Sequence, residues 1–437
     1  MSVLEDILER AQRIADEAEV FAVTSTDTPV HFEANRLKGV QERHTWAVGL
    51  RIIKGGKIGL ASTNRQDDPQ GLVERALETL ALGPEASFTL PGPQPYPDVP
   101  LYDPAVEALS AQALVDLGQE AIDHLRGRWP QVLWECRVGK AISTVTILNS
   151  KGLHATCTRS TMNLTLEGSW IQDGDMVFVW EHQASCRPIR DSREVVGSLD
   201  TQLRGAQRLV PAPQGEVPVI FTPKGVAGLL MMPLLTGLNG RTLVRKASPL
   251  EGKVGERIVD SRFTLVDDPT IPYAPGSRGF DDEGVPSQRT PLIDGGILRG
   301  FLFDLQTASL AKAKSSGSAS RSVGTLPSPG SSVVVIEEGH TPVGEVLRGV
   351  PDGLMVEAVL GAGQGNVLAG DFLGNVLLGF RVEGGEVVGR VKDTMVSGNV
   401  YHALTRLIAI SRERRWVGGG ILTPTLLCAG VTVVAKR

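Results

Sequence analysis

The hydrophobic positions of the first 210 residues repeat one arrangement twice: a helix, a set of strands and a second helix. Apolar residues three and four positions apart predict the helices, and alternation of apolar and polar residues predicts the strands. The first unit has helices over 2–18 and 69–82 around strands at 30–35, 47–53 and 58–63. The second has helices over 106–126 and 192–209 around strands at 144–148, 154–159, 163–170 and 176–186. The shared order suggests the hypothesis of an internal duplication. The sequence identity between the two units is too low to establish it.

Proline-rich stretches divide the chain into three predicted domains. Seven prolines lie between positions 84 and 104, where their fixed φ and missing N–H exclude a regular helix or a central strand. A weaker break lies at 210–218. The predicted domains are an α+β subdomain over 1–90, a second α+β subdomain over 105–210, and a mainly β domain over 217–437. This division suits a chain longer than one hydrophobic core usually organises.

The third predicted domain changes from helical to strand-rich patterning. It begins with a strand at 217–221 and an apolar helix at 225–238, and glycine-rich turns then separate strands at 333–337, 353–359, 377–382, 387–391 and 430–435. A sandwich or a barrel-like sheet is the predicted outcome. The fold class is therefore α+β: two helix–antiparallel strands–helix units followed by a mainly β C-terminal domain.

Composition and charge exclude several classes of function. A net charge of −5 and an isoelectric point of about 5.9 give no basic face for direct nucleic-acid binding. The longest apolar run, at 225–238, is too short to cross a membrane, and the acidic N-terminus is unlike a signal peptide, so a cytoplasmic location is predicted. Four scattered cysteines form no CxxC pair, which argues against a zinc knuckle or a disulfide framework.

Ordered sequence blocks over nearly the whole chain resemble the TldD/PmbA family, in which PmbA is also called TldE. The blocks lie at 32–37, 49–63, 248–256, 265–269, 280–286, 316–321, 370–372 and 396–399. The resemblance implies a proteolytic system in which a zinc-bearing TldD subunit pairs with a zinc-free TldE subunit. Such a pair encloses a cavity where peptides or unfolded chains are cut.

The resemblance also implies where the zinc ligands of the catalytic branch would lie. With residues 237–240 as the anchor, the two histidines of its His-Glu-x-x-x-His helix correspond to Met231 and Thr236, and the glutamate corresponds to Met232. A thioether is a poor zinc ligand, and Met232 cannot act as a general base. The cysteine ligand of that branch has no counterpart in 411–423, and Cys428 follows Pro424 instead of preceding it. The chain is therefore predicted to hold no metal and no catalytic residues.

Six polar residues in the family blocks are predicted to lie at a substrate groove or an interface. They are Ser248, Asp281, Asp282, Glu283, Ser316 and Arg321. The acidic run at 281–283 lacks the alternating ligands of a calcium loop, so a turn with interface or helix-end contacts is preferred over a cation site. The loop at 314–321 has no nucleophile-elbow or Walker pattern, so a mobile loop near the shared cavity is preferred over a serine nucleophile.

Four functions follow from these observations. The first is the metal-free, TldE/PmbA-type subunit of a metallopeptidase, with zinc in a TldD-like partner and a peptide or unfolded protein as substrate. The second is a homodimeric peptide-binding or scaffold protein without a protease partner. The third is an enzyme that uses Ser315, Ser316 or Ser318. The fourth is an indirect role in a DNA gyrase pathway, after the family's older label as a gyrase modulator.

Overall fold

The computed structural model describes residues 2–172 and 175–435, in which two large β-sheets carry most of the chain. The N-terminal part forms a seven-stranded antiparallel sheet, and the C-terminal part forms an 11-stranded mixed sheet. Helices cover the N-terminal sheet and interrupt the C-terminal one. The predicted α+β class is confirmed.

The strands of both predicted N-terminal units lie in one continuous sheet. They are β1 (Glu17–Glu33), β2 (Arg36–Val40), β3 (Arg43–Lys54), β4 (Lys57–Thr63), β5 (Leu133–Asn149), β6 (His154–Gln172) and β7 (Asp175–Ser185). The order is β4-β3-β1-β5-β6-β7, with β2 paired to β1. The long ladder between β1 and β5 joins the two units, whose division into subdomains stays a prediction.

Five helices pack on the N-terminal sheet. They are α1 (Val3–Gln12), α2 (Pro69–Thr79), α3 (Pro104–Glu107), α4 (Ala111–Arg128) and α5 (Arg193–Ala206), and a 3₁₀ turn, Leu80–Leu82, follows α2. Side-chain caps begin α1 to α4: Asp68 at the start of α2, for example, accepts a hydrogen bond from the Gly71 amide at 2.9 Å, and Ser110 caps α4. The α1 and α2 helices bury their apolar faces on β1 and β3, whereas α4 and α5 pack against β5 and its neighbours.

The first helix is shorter than its predicted span of 2–18. It ends at Gln12, and β1 already begins at Glu17. The helical spacing of Ile14 and Ala15 extended the prediction, but these residues lie in the turn that leads into β1. The proline-rich residues 83–103 contain only one isolated bridge, between Glu85 and Lys57, and no helix or strand, as their composition predicts.

Among the residues that the structure describes, thirteen strands belong to the C-terminal part. They are β8 (Gly215–Phe221), β9 (Leu265–Asp267), β10 (Thr290–Asp294), β11 (Ile297–Leu298), β12 (Ala319–Ser320), β13 (Ser328–Pro329), β14 (Val334–Ile336), β15 (Asp352–Leu360), β16 (Asp371–Glu383), β17 (Glu386–Arg390), β18 (Thr394–Asn399), β19 (Leu407–Val417) and β20 (Ile421–Ala435). The helices are α6 (Pro223–Gly225), α7 (Met231–Gly237), α8 (Gly240–Val244), α9 (Leu305–Leu310), α10 (Val343–Arg348) and α11 (Val400–Thr405).

Part of the C-terminal sheet closes on itself into a barrel. The β8 strand pairs in parallel with β15 and antiparallel with β20, and β16 and β18 complete the ring between β15 and β20. Its interior is filled by large apolar side chains such as Phe221, Leu354 and Phe372. Of the predicted sandwich and barrel-like forms, the barrel-like one is confirmed. No helix within the described residues is long and apolar enough to cross a membrane.

Candidate functional site

Met231, Met232 and Thr236 lie on α7, which follows β8 after one short helix and a π-helical turn. The buried side of α7 packs into the apolar core of the barrel. Thr222 caps α6, and a π-helical turn, Val226–Leu230, connects α6 to α7. Pro233 in α7 has no N–H to donate to the preceding turn, and its ring crowds the carbonyl four residues earlier. The wider π turn directly before α7 accommodates this proline. The single helix predicted at 225–238 is therefore two short helices joined by a π turn.

The three positions that are predicted to correspond to the zinc motif have side chains that do not fit a zinc ion. Met231 is buried in the apolar core, and Met232 is half exposed. The Thr236 hydroxyl donates a hydrogen bond to the Met232 carbonyl oxygen at 2.7 Å. Two thioethers and a hydroxyl that already has a backbone partner offer neither imidazole nor thiolate to zinc, and no carboxylate to accept a proton from water.

Other potential metal ligands are dispersed. Within residues 2–172 and 175–435, no group of three His, Cys, Asp or Glu side chains is positioned to hold a metal ion. Cys428 lies in the apolar barrel core, where burial raises the pKa of its thiol to about 12. A thiol in that environment stays protonated at neutral pH and acts as a small hydrophobic residue.

Ser248 follows α8 in the chain and lies beside the C-terminal end of α7. Its hydroxyl donates to the Gly237 carbonyl oxygen at 2.6 Å and accepts from the Leu250 amide at 3.1 Å. Both contacts join the following loop to the last turn of α7. These contacts are structural, and the predicted groove or interface role of Ser248 stays a prediction.

The acidic run at 281–283 forms a tight turn whose side chains bond to backbone amides. Asp281 is fully buried and accepts hydrogen bonds from the amides of Glu283, Val285 and Ala319, each at 2.9 Å. Asp282 accepts from the Arg321 amide at 2.8 Å. The turn therefore brings the loop at 319–321 next to the loop at 281–285.

Glu283 connects this turn to the N-terminal sheet and to a helix start. One carboxylate oxygen accepts a hydrogen bond from Arg51 of β3 at 2.7 Å, and the other accepts from the amide of Leu305, the first residue of α9, at 2.8 Å. Arg51 also donates to Glu19 of β1 at 3.0 Å. Arg321 pairs with the other oxygen of Glu19 at 2.7 Å.

Glu19, Arg51, Glu283 and Arg321 form a buried ion network, in which each side chain is at most 3% exposed. The Arg321 guanidinium also lies 4.2 Å from the centre of the Phe21 ring. Sequence reasoning placed Glu283 and Arg321 in a functional block but missed Glu19 as their partner. The available signal was an arginine in the middle of the apolar strand 47–53, because a buried arginine requires a carboxylate.

The network changes the pKa values of its members in opposite directions. Burial acts to raise the pKa of Glu19, but Arg321 and Arg51 together hold it below its ordinary value. Burial raises the pKa of Glu283 to about 7, although Arg51 opposes the rise. Burial likewise raises the pKa of Asp281 and of Asp267 to about 6, against the amides that bond to each carboxylate.

These raised values predict that the protein loses stability as the pH rises from about 5.5 to about 8. Because the folded state holds these protons more tightly than the unfolded state, their stabilising contribution is complete below about pH 4 and is lost as the pH passes 6 to 7. We expect the free energy of unfolding to fall by at least about 2 kcal/mol over this range, because Glu283 alone contributes about that much. Urea unfolding at several pH values measures it, and Glu283→Gln should flatten the curve. A rise in stability with pH, or an unchanged slope in the variant, would contradict the assignment.

A cavity of about 1010 Å³ lies beside the network, between the N-terminal part and the helices α8 and α9. Arg51 and Glu283 form part of its wall, and Phe88 from the proline-rich segment forms another part. Arg241, Arg245 and Lys246 add positive charge to the opposite side. The volume reaches the upper end of the range for ligand pockets, so the cavity has room for several residues of an extended peptide.

Ser316 contacts backbone groups and another serine. Its hydroxyl accepts from the Phe303 amide at 2.7 Å and lies 3.1 Å from the Phe303 carbonyl oxygen and 2.8 Å from the Ser318 hydroxyl. Ser315 also donates to the Phe303 carbonyl oxygen, at 3.2 Å. A serine nucleophile needs an adjacent base, and these contacts include none. The geometry thus favours a structural loop over the serine-enzyme hypothesis.

Comparison with family models places this α+β fold among the metallopeptidase-related proteins. The model described as the PmbA/TldA metallopeptidase C-terminal domain matches residues 214–435, and the model for domain 1 of the same metallopeptidases matches residues 18–80. The chain belongs to the PmbA/TldD family.

Similar proteins span the whole chain. A metalloprotease of Methanothermobacter thermautotrophicus is 25% identical over 95% of this chain and 91% of its own length. The structure of TldE from Thermococcus kodakarensis matches with a TM-score of 0.89 at 26% identity and covers 100% of both chains. A proposed modulator of a DNA gyrase from Thermotoga maritima has a TM-score of 0.87 and 21% identity, over 98% of this chain and 100% of its own, and shows the shared fold.

Proposed function

We propose that this protein is the non-catalytic, TldE/PmbA-type subunit of a cytoplasmic metallopeptidase that processes peptides or degrades unfolded proteins. The observation that carries the proposal is that Met231, Met232 and Thr236, which are predicted to correspond to the zinc-motif positions, offer no zinc ligand and no general base. The resemblance to TldE from Thermococcus kodakarensis over the full chain supports it. In this proposal, zinc and the general base belong to a TldD-like partner.

The role of this chain would then be to bind and orient the substrate. The cavity beside Arg51 and Glu283 offers carboxylate, guanidinium and apolar contacts to an extended peptide. The β7 strand is at the end of the N-terminal sheet order, where an added strand can pair through main-chain hydrogen bonds. Main-chain pairing is independent of sequence, which suits a subunit that receives many different unfolded segments.

Metal content and hydrolysis test the proposal together. The chain is purified alone, a His-Glu-bearing paralogue from the same host is purified alone, and the two are purified after co-expression. We expect zinc far below one ion per chain in the first sample, and hydrolysis of an unfolded casein only in the co-purified pair. Replacing the glutamate of the partner's His-Glu pair with glutamine should abolish hydrolysis, whereas Met232→Gln in this chain should leave it intact.

Two outcomes would contradict the proposal. Zinc-dependent hydrolysis by the isolated chain would make it the catalytic subunit. A stable homodimer that ignores every zinc-bearing paralogue and still binds peptides would favour the alternative of a scaffold protein, including a role in the gyrase-modulator pathway. Mass measurement of each purified sample in solution distinguishes the homodimer from the heterodimer.

A further inference from the structure

A second cavity, of about 640 Å³, lies between α5 and the barrel. None of the three zinc-motif positions lines it, and no step of the proposed peptidase function uses it. Much of its wall is apolar and comes from strands β15, β16, β17 and β19. The apolar side chains include Met355, Phe380, Val387 and Trp416.

One side of this cavity is formed by a buried lysine, Lys224, whose ammonium group contacts a backbone oxygen and two carboxylates. Lys224 Nζ donates to the Trp180 carbonyl oxygen at 2.7 Å and lies 2.8 Å from Glu357 Oε1 and 3.4 Å from Glu181 Oε2. Its side chain is 7% exposed, and Nζ lies 4.8 Å from the centre of the Trp180 ring. Lys224 is therefore already surrounded by three acceptor oxygens of the protein, two of which belong to carboxylates.

The carboxylates around Lys224 outnumber its single positive charge. Glu181 and Glu357 share the one ammonium, and both are largely buried. Arg415 is the next cation on the wall, but it is 45% exposed and lies 3.7 Å from Glu194. Arg204 is paired with Asp200 at 2.9 Å. This corner of the cavity therefore keeps an excess of negative charge.

Two acceptor oxygens in the cavity wall lack donors among the described residues. Glu357 Oε2 accepts no hydrogen bond, since Lys224 approaches the other oxygen. Gln202 is 5% exposed, and its Oε1 is buried without a hydrogen-bond partner. The Gln202 amide nitrogen is engaged with the Trp180 carbonyl oxygen and the Ser198 hydroxyl, each at 3.3 Å, which fixes the orientation of the side chain. Gln202 Oε1 is thus a buried acceptor without a donor, which is destabilising, so a donor from outside would be favoured there.

We infer that this cavity binds a primary ammonium group attached to an apolar body. The ammonium supplies the missing donors to Glu357 and Gln202 and balances the excess charge, and the apolar body packs against Met355, Phe380 and Trp416. The same chemistry is offered by a free hydrophobic amine and by the N-terminus of a peptide with an apolar first residue. The site is complete within this chain, so it stands whether or not a peptidase partner exists.

Calorimetric titration with four probes tests the inference. Phenethylamine carries the ammonium and the apolar body, 2-phenylethanol carries the body without the charge, and the peptide Phe-Gly-Gly is compared with its N-acetylated form. We expect phenethylamine or the free peptide to bind, and the alcohol and the acetylated peptide to bind at least about tenfold more weakly. Binding of the amine alone identifies a free amine as the ligand, and binding of the peptide alone identifies a chain N-terminus. Equal binding of charged and uncharged probes, or no binding of either ammonium probe, would overturn the inference.

Two variants locate the site. Glu357→Gln should lower the affinity for the ammonium probe by at least about tenfold, because it removes the negatively charged acceptor of the hydrogen bond. Glu345→Gln, in an exposed pair with Arg348 outside the cavity, should leave the affinity unchanged. Because Glu357→Gln also removes a partner of Lys224, Gln202→Met provides a second test that leaves both ion pairs intact and should weaken binding several-fold. Unchanged affinity in both folded variants would exclude this cavity.

Discussion

Arg51→Met should lower the free energy of unfolding by about 3–5 kcal/mol at pH 8. Methionine preserves much of the side-chain volume but leaves Glu283 as a buried carboxyl group without its guanidinium partner, which must then stay ionised and unpaired or take up a proton. Glu19 keeps Arg321, so the cost arises chiefly at Glu283. Urea unfolding followed by circular dichroism measures the difference.

The double variant Arg51→Met/Glu283→Gln separates the ion pair from simple loss of packing. Because a neutral amide is cheaper to bury than an unpaired carboxylate, the double variant should recover a large part of the lost stability. Arg65→Met is the matched control, because Arg65 and its partner Asp67 are each 70% exposed, and it should leave the unfolding midpoint unchanged. A double variant that is no more stable than Arg51→Met would show that Glu283 does not depend on Arg51.

The buried network also explains which part of the chain resisted prediction from sequence. Glu17 and Glu19 made the start of β1 resemble a polar helix end, yet Glu19 is completely buried in the middle of a sheet. Its charge is compatible with a strand only because Arg51 and Arg321 approach it from β3 and from a loop far along the chain. No local pattern contains that information.

The predictions that succeeded depend on local chemistry. The helix predicted from residue 69 begins at Pro69, and the predicted strands at 47–53 and 58–63 and at 144–148 and 154–159 form the hairpins of β3 with β4 and of β5 with β6. Closure of the barrel was not predictable, because β8 must pair with both β15 and β20. The composition of a segment predicts that it forms a strand. It does not predict which distant strand will pair with it.

The candidate site was also predictable only in part, because the sequence indicates its residues but not their distant partners. The structure brings four of the six residues from the family blocks together, since Asp281, Asp282, Glu283 and Arg321 belong to two adjoining loops, and their groove or interface role stays a prediction. Their partners in β1 and β3 and the amine cavity at Lys224 were not selected. Both depend on contacts between the N-terminal and C-terminal sheets, which the order of residues does not encode locally.

Gly237→Ala should destabilise the protein by about 3 kcal/mol, because the last residue of α7 has no room for a side chain. A Cβ atom at this position would lie 1.9 Å from the Tyr401 hydroxyl oxygen and 3.3 Å from the ring carbon that bears it. The Tyr401 hydroxyl is buried and makes no hydrogen bond within the described residues. The clash is therefore with a single atom that contributes little to stability.

Tyr401→Phe makes this explanation testable, since it removes only that atom. Alone it should be neutral or slightly stabilising, because a buried hydroxyl without a partner is costly to desolvate. Combined with Gly237→Ala it should restore most of the lost stability. Gly197→Ala in α5, where a Cβ atom would meet nothing within 4 Å, is the control and should be neutral or stabilising by up to about 1 kcal/mol. If Tyr401→Phe fails to rescue Gly237→Ala in thermal unfolding, the contact between the zinc-motif helix and α11 does not determine how closely α7 packs.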